Sequence, residues 1–253
     1  MSNSDFIKEI YAYYKTHRRS FPWRECISPY RVLVSEIMLQ QTQAPRVVAK
    51  YNEFIKKFPS LKKLNEASTK DVLSAWQGLG YNRRALYLKS ITKIPKTYEE
   101  LVELPGIGPN TAGSILAFAY NIPHPFIETN IRSVYIHFFF KNKEKVDDKE
   151  IMELIKETLD QKNPREWYYA LMDYGAMLKK TANPSLKSKH YKKQSPFKGS
   201  HREKRGKVLK ILLEKPDKLL KYKNIAEELL KEGFIKKVNE VYYIHEKIGR
   251  AHV

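Results

Sequence analysis

Two acids stand where chemistry is possible. Glu128 sits in Phe126-Ile-Glu-Thr-Asn-Ile131, apolar before it and helical after it. Its carboxylate therefore falls at a helix N-terminus, where partial positive charge favours the ionised form. Upstream, Leu104-Pro-Gly-Ile-Gly108 reads as a tight turn between two helices, the second opened by Pro109, Asn110 and Thr111. Gly106 and Gly108 can adopt positive φ and expose successive N–H groups, and Pro109 suits a first helical turn. Amides presented in this way grip a phosphate without reading sequence, which suits a nucleic-acid backbone. Taken alone, the turn is as readily a helix–turn–helix corner. The second acid, Glu36, shares a helical strip with Leu33, Gln40 and Gln43, and on spacing alone an acid on such a helix more often belongs to its solvated edge.

The elements that must position these groups are helical. Residues 4–17 carry Phe6, Ile7, Ile10, Tyr11 and Tyr14 at helical spacing behind a capping Ser4, and Ser28-Pro29 opens a largely apolar helix running to about residue 42. Shorter helices fill 45–75, and further helices are expected near 129–140, 147–160 and 164–178. From Ser200 the pattern changes to two helices, Arg205–Leu213 and Lys223–Gly233, and a β-like run from Phe234 to Ile244, which suggests a small winged-helix-like module. The final residues 248–253 fit no element and read as a non-native tail. Strand signals are otherwise scarce, so the fold class is all-α. A chain of 253 residues with formal charge +19 has room for a real core and an affinity for phosphate-rich surfaces. Cys26 is the single cysteine, which excludes intramolecular disulfides and cysteine-held metal centres. No apolar stretch reaches membrane-spanning length, so a cytoplasmic protein is expected.

Hairpin, spacer and acid together resemble the helix-hairpin-helix DNA glycosylase superfamily, whose motif ends in a catalytic Asp. The likeness extends to Phe21-Pro-Trp-Arg24, Ser28-Pro-Tyr30, Ser35-Glu-Ile-Met-Leu-Gln-Gln-Thr-Gln43, Gly78-Leu-Gly-Tyr81 and Asp173-Tyr-Gly-Ala-Met177. These motifs are similar to those of adenine DNA glycosylases of the MutY type over roughly residues 5 to 185. The resemblance implies two helical lobes, one from residues 1–27 and 126–199 and one from residues 28–125, and the module at 200–247 is expected as a further domain. It implies that Glu36 protonates the adenine, and burial would keep that proton near neutral pH. It implies that Glu128 stabilises positive charge on the sugar, with Asn130 orienting it. Asn110 stands where glycosylase/lyases carry Lys and offers no amine for a Schiff base. Arg24, Gln41, Tyr81, Gly106, Gly108 and Arg132 are implied to contact DNA, Gln41 and Tyr81 by entering the base stack.

The chain departs from the family in three respects. Glu128 replaces Asp. Lys179, Leu186 and Lys189 stand where three of the four cysteines of the family's iron–sulfur cluster align, so no cofactor is expected and a basic loop takes its place. The C-terminal module is too short to be the second domain with which such enzymes recognise 8-oxoguanine. The expected function is removal of adenine mispaired with 8-oxoguanine or guanine by a monomer acting on double-stranded DNA. A mismatch thymine or uracil glycosylase, or a non-catalytic DNA-binding protein of the same fold, are the alternatives.

Overall fold

Helix boundaries follow local capping. Ser2 accepts the Asp5 N–H to start the helix Asn3–His17, whose Phe6, Ile10 and Tyr14 recur one turn apart and are buried. Asp147 and Glu150 close a capping box ahead of Asp148–Thr158. Asn121 in left-handed backbone ends Pro109–Tyr120. The computed structural model describes residues 1–246, and the stretch 248–253 lies outside the described residues. Among the described residues helices dominate, and strands Ile235–Val238 and Val241–Ile244 form a single antiparallel hairpin. The all-α class expected from sequence holds. No helix among the described residues is long and apolar enough to cross a membrane.

Packing divides the chain into two compact units. The first is Met1–Glu36 with Pro95–Lys193. Its core surrounds Phe6, whose ring lies 5.0 to 5.8 Å from those of Tyr135, Phe138, Phe139 and Trp167. Burying an aromatic side chain of this kind contributes about 1.5–3 kcal/mol. Thus Asn3–His17, Thr129–Phe139 and the long helix Pro164–Thr181 are held as one body. The helix-hairpin-helix, Tyr98–Val102 and Pro109–Tyr120, belongs to this unit as well. Sequence placed it in the other lobe, ending at residue 125. Two contacts explain the difference. A Cβ on Gly113 would stand 2.7 Å from the Phe126 Cβ, so glycine permits a close approach there, and Phe118 stacks on Tyr169 at 4.7 Å.

The second unit is Ile37–Ile94 with the segment from Gln194 onward. It contains Ala44–Lys57, Thr69–Ala75 and Arg83–Ser90 together with the C-terminal helices His201–Glu214 and Lys223–Lys231. The hairpin pairs Ile235 with Ile244 and Val238 with Val241, and it turns on Asn239 and Glu240, both at positive φ. The helices and hairpin expected of the module are present, but the module does not stand apart. Thr69 donates from its backbone N–H to Glu246 Oε2 and from its hydroxyl to the Glu246 carbonyl, at 2.9 Å each. Glu232 takes both Arg205 and Arg83, joining the module to the helix Arg83–Ser90.

Candidate active site

The first unit gathers the acids. Glu128 is the N-cap of Thr129–Phe139. Its Oε1 accepts the Asn130 N–H at 2.8 Å and the Ile131 N–H at 3.0 Å, while Asn130 Nδ2 donates to Oε2 at 3.3 Å. Asn130 therefore orients the acid through both backbone and side chain. Asn110 Oδ1 accepts the Ile127 N–H at 3.1 Å, so the hairpin helix pins the residue before Glu128. Gly175 completes the seat, since a Cβ there would come within 2.2 Å of the Asn130 carbonyl oxygen. Burial raises the Glu128 carboxyl above its ordinary value, against the lowering effect of these N–H donors and of Arg132. The helix N-terminus favours the ion, as expected from sequence, but desolvation outweighs it.

Glu36 lies on the helix Pro29–Leu39 in the same unit. Desolvation pushes its carboxyl up to about 7, with the nearby Glu128 charge adding to the rise and Ser114 and Arg24 opposing it. Some of the side chain stays open to solvent. Ser114 is the partner that sequence reasoning missed. Its hydroxyl oxygen is 2.5 Å from Glu36 Oε2 and 2.9 Å from the Thr111 carbonyl oxygen. One hydroxyl proton faces two acceptors. It goes to the carboxylate when Glu36 is ionised, and to Thr111 when Glu36 is protonated and donates to the Ser114 oxygen. A lone polar residue in the apolar run Ala112–Phe118 is the signal that points to it.

The hairpin faces solvent but does not offer an unbroken row of N–H groups, since that of Ile107 donates to the Leu104 carbonyl at 3.1 Å. Gly106 has φ 78, whereas Gly108 is extended at φ −88 and serves as the N-cap of Pro109–Tyr120 without any side-chain cap. Gly106, Gly108, Pro109 and Asn110 are exposed while Ile107 is buried, so the loop is anchored by one apolar side chain and its glycines face solvent.

Two residues assigned to DNA from sequence are committed elsewhere. Arg24 is buried, donating to Asp173 at 2.8 and 2.9 Å and lying 4.2 Å from the Tyr169 ring centre. Asp173 is itself fully buried and also takes Arg19, so this cluster ties the chain's start to Pro164–Thr181. A phosphate cannot reach it. Arg132 makes a two-pronged pair with Asp148 at 2.6 and 2.7 Å and keeps 14% of its side chain exposed, which leaves it bracing neighbouring helices.

Gln41 and Tyr81 lie in the second unit, both in left-handed backbone at φ 55 and 46. Such a conformation costs about 1–2 kcal/mol for a residue with a Cβ. Arg84, also missed from sequence, holds both loops. Its guanidinium donates to the carbonyls of Ile37, Met38, Gln40, Leu79 and Gly80 and to the Thr42 hydroxyl. Both side chains are exposed, Tyr81 by 39%.

The iron–sulfur cluster of the wider family finds no suitable donors here. Leu186 is 58% exposed, Lys189 pairs with Asp147 at 3.4 Å, and neither side chain ligates iron. The loop is closed by backbone instead, Val146 donating to the Lys187 carbonyl and Lys189 to that of Val146, at 2.8 and 2.9 Å. No group of three or more His, Cys, Asp or Glu residues gathers as a metal site among the described residues.

A helical fold with a solvent-facing hairpin beside an acid held at a helix start defines a helix-hairpin-helix protein. The sequence matches the HhH-GPD superfamily of base excision DNA repair proteins over residues 34–161, and the chain belongs to that family. Among curated relatives, the adenine DNA glycosylase of Buchnera aphidicola subsp. Baizongia pistaciae (strain Bp) is 35% identical over 185 residues, covering 68% of this chain and 52% of the relative. That of Mycobacterium tuberculosis (strain ATCC 25618 / H37Rv) is 42% identical over 135 residues, covering 49% of this chain and 44% of the relative. The chain thus spans about half the length of these relatives. A solved thermostable thymine-DNA glycosylase superposes with TM-score 0.62 at 24% identity, covering 69% of this chain and 86% of that one. An endonuclease III trapped as a covalent DNA intermediate gives 0.54 at 15%, covering 78% and 91%. At these identities the structural likeness concerns the fold alone.

Proposed function

We propose that this chain is a monofunctional DNA glycosylase that removes adenine mispaired with 8-oxoguanine or guanine. The observation that carries the reading is the acid pair, two electrically coupled carboxyls in one unit with unequal surroundings. Each acid has an arginine near it, Arg132 for Glu128 and Arg24 for Glu36, but Glu128 accepts from three N–H donors, which suit an anion, whereas Glu36 is bonded only by a hydroxyl that serves either protonation state. The proton of the pair therefore rests on Glu36 and the charge on Glu128. Glu36 donates that proton to a ring nitrogen of an extruded adenine and makes it a better leaving group. As the bond to the sugar breaks, Glu128 stabilises the positive charge left behind, and water completes the hydrolysis.

The remaining residues take supporting roles. Extruding a base costs a few kcal/mol, which Gln41 and Tyr81 offset by filling the gap while the Gly106–Gly108 amides grip the backbone. Asn110 lacks the amine that strand cleavage by Schiff-base chemistry requires and acts as a positioning residue through Ile127. In this reading the chain works without an iron–sulfur cluster, as a cytoplasmic monomer on double-stranded DNA. Single-turnover assays on duplexes carrying A opposite 8-oxoguanine, A opposite G, T opposite G and U opposite G test it. Release of adenine alone is expected. Release of thymine or uracil moves the assignment to a pyrimidine mismatch enzyme, and binding without any release leaves a DNA-binding protein.

A further inference from the structure

The C-terminal segment does more than pack against the second unit. An open recess of about 430 Å³ in that unit is lined by Gln40, Gln41, Tyr81, Asn82, Arg83, Arg84, Arg202, Arg205 and Glu232. Four guanidiniums against one carboxylate make it strongly positive. Glu232 neutralises Arg83 and Arg205 in part, and Arg84 is spent on backbone carbonyls, so these three shape the floor. Arg202 differs. Its Nη1 donates to the Tyr81 hydroxyl at 3.2 Å and its Nη2 to the Ser195 carbonyl at 2.6 Å, with the guanidinium 5.4 Å from the Tyr81 ring centre. Its Nε–H has no partner among the described residues. Gln194 donates to the same hydroxyl at 2.9 Å. Two side chains of the C-terminal segment thus fix an exposed aromatic ring whose backbone already sits in left-handed φ. The side-chain amides of Gln41 and Asn82 are likewise without hydrogen-bond partners among the described residues, and Asn82 leaves its own helix uncapped. An immobilised aromatic face, unused amides and a guanidinium with a spare donor form a place for something planar, polar at its edge and anionic.

We propose that this recess binds one unpaired nucleotide of DNA, its base against Tyr81 and its polar groups read by Arg202, so that the C-terminal segment contributes directly to mismatch recognition. The inference rests on the reading of Gln41 and Tyr81 as residues that enter the base stack. Stacking on an aromatic ring and an arginine contact to phosphate or base edge are the two interactions a displaced nucleotide offers. A merely electrostatic role predicts something else, since a phosphate contact strengthens binding to every duplex alike.

The experiment is fluorescence anisotropy on labelled duplexes, matched and carrying one A opposite G, with the intact chain, Arg202→Gln, Tyr81→Phe and Lys204→Gln. Lys204 is on the same helix as Arg202 and does not line the recess. Arg202→Gln is expected to weaken mismatched binding about tenfold and matched binding less than about twofold, a selective loss of roughly the size of one base contact. Tyr81→Phe removes the hydroxyl that Arg202 and Gln194 hold and is expected to lower the preference for the mismatch while leaving matched binding within about twofold. Lys204→Gln should lower both affinities equally. A mismatch preference that survives Arg202→Gln, or an equal loss on both duplexes, overturns the recess while leaving the glycosylase reading intact. No mismatch preference in the unmodified chain overturns both.

Discussion

Glu36→Gln should make the protein more stable at pH 8 and inactive. In the folded chain the Glu36 carboxyl is pushed from 4.5 up to about 7. The folded state therefore holds this proton more tightly than the unfolded chain. Stability from the group is fully present below 4.5 and is lost as pH rises to about 7, beyond which the penalty is constant. A displacement of that size corresponds to at most about 3 kcal/mol, and the solvent-open part of the side chain reduces it to about 1–3 kcal/mol. Gln keeps the shape and a contact for Ser114 but has no charge to desolvate. Urea midpoints of the two proteins should coincide near pH 4.5 and separate in favour of the variant by pH 8. The rate should move oppositely in the unmodified enzyme. If the protonated acid is the active form, the competent fraction falls from about nine tenths at pH 6 to about one tenth at pH 8. Single-turnover adenine release measured across that range gives the limb, and Ser114→Ala should shift it to higher pH, since the Ser114 hydrogen bond lowers the Glu36 pKa. A stability gap that does not widen with pH, or a release rate that rises through pH 7, refutes the reasoning.

The other expectations concern position. Glu128→Gln keeps an acceptor for the cap, so thermal unfolding should shift by no more than about 1 kcal/mol while adenine release falls on the order of 100-fold or more. Glu128→Asp should cap at least as well and retain measurable release, and a Gln variant releasing adenine at the unmodified rate would remove Glu128 from the mechanism. Arg84→Met should cost about 3 kcal/mol in chemical denaturation, because buried carbonyls at both loops lose their donor together. A loss below about 1 kcal/mol would show that the two loops hold themselves. Gly175→Ala should lower both stability and release, as its Cβ would fall 2.2 Å from the Asn130 carbonyl oxygen, and unchanged kinetics would mean the Asn130 backbone yields freely.

Local rules carried the sequence reading a long way. Periodicity and caps find Asn3–His17 and Thr129–Phe139, and the Pro-Gly-Ile-Gly turn finds the hairpin, because those signals are written within a few neighbouring residues. Glu128 was legible for the same reason, as a helix start is a local event. What escaped depends on residues far apart. Arg24 and Arg132 read by resemblance as DNA contacts until Asp173 and Asp148 arrive beside them in space. Arg84 follows Asn82 and Arg83, and nothing local sets it apart from Arg83 as the one that will be buried. The lobe boundary falls elsewhere because it depends on the approach of Gly113 to Phe126 and of Phe118 to Tyr169, which no local signal announces. The strain at Gln41 and Tyr81 has no sequence signature at all, since neither residue type announces positive φ.

The seat of Glu128 also bears on how much that acid can wander. Gly113 lies against Phe126, two residues before it, and Gly175 against Asn130, two residues after it, each at a distance where a methyl group would collide. The segment is therefore clamped from two helices, against the Phe126 side chain at one end and the Asn130 backbone at the other. Thermal fluctuation of the carboxylate is limited to rotation about its own bonds. A longer acid in such a clamp gains reach but keeps its register, so the extra methylene of glutamate is taken up by rotamer choice while the peptide stays in place. Crystallographic displacement parameters should accordingly be lower for backbone 126–130 than for the exposed hairpin, and spin relaxation of the Ile131 amide should report a rigid site.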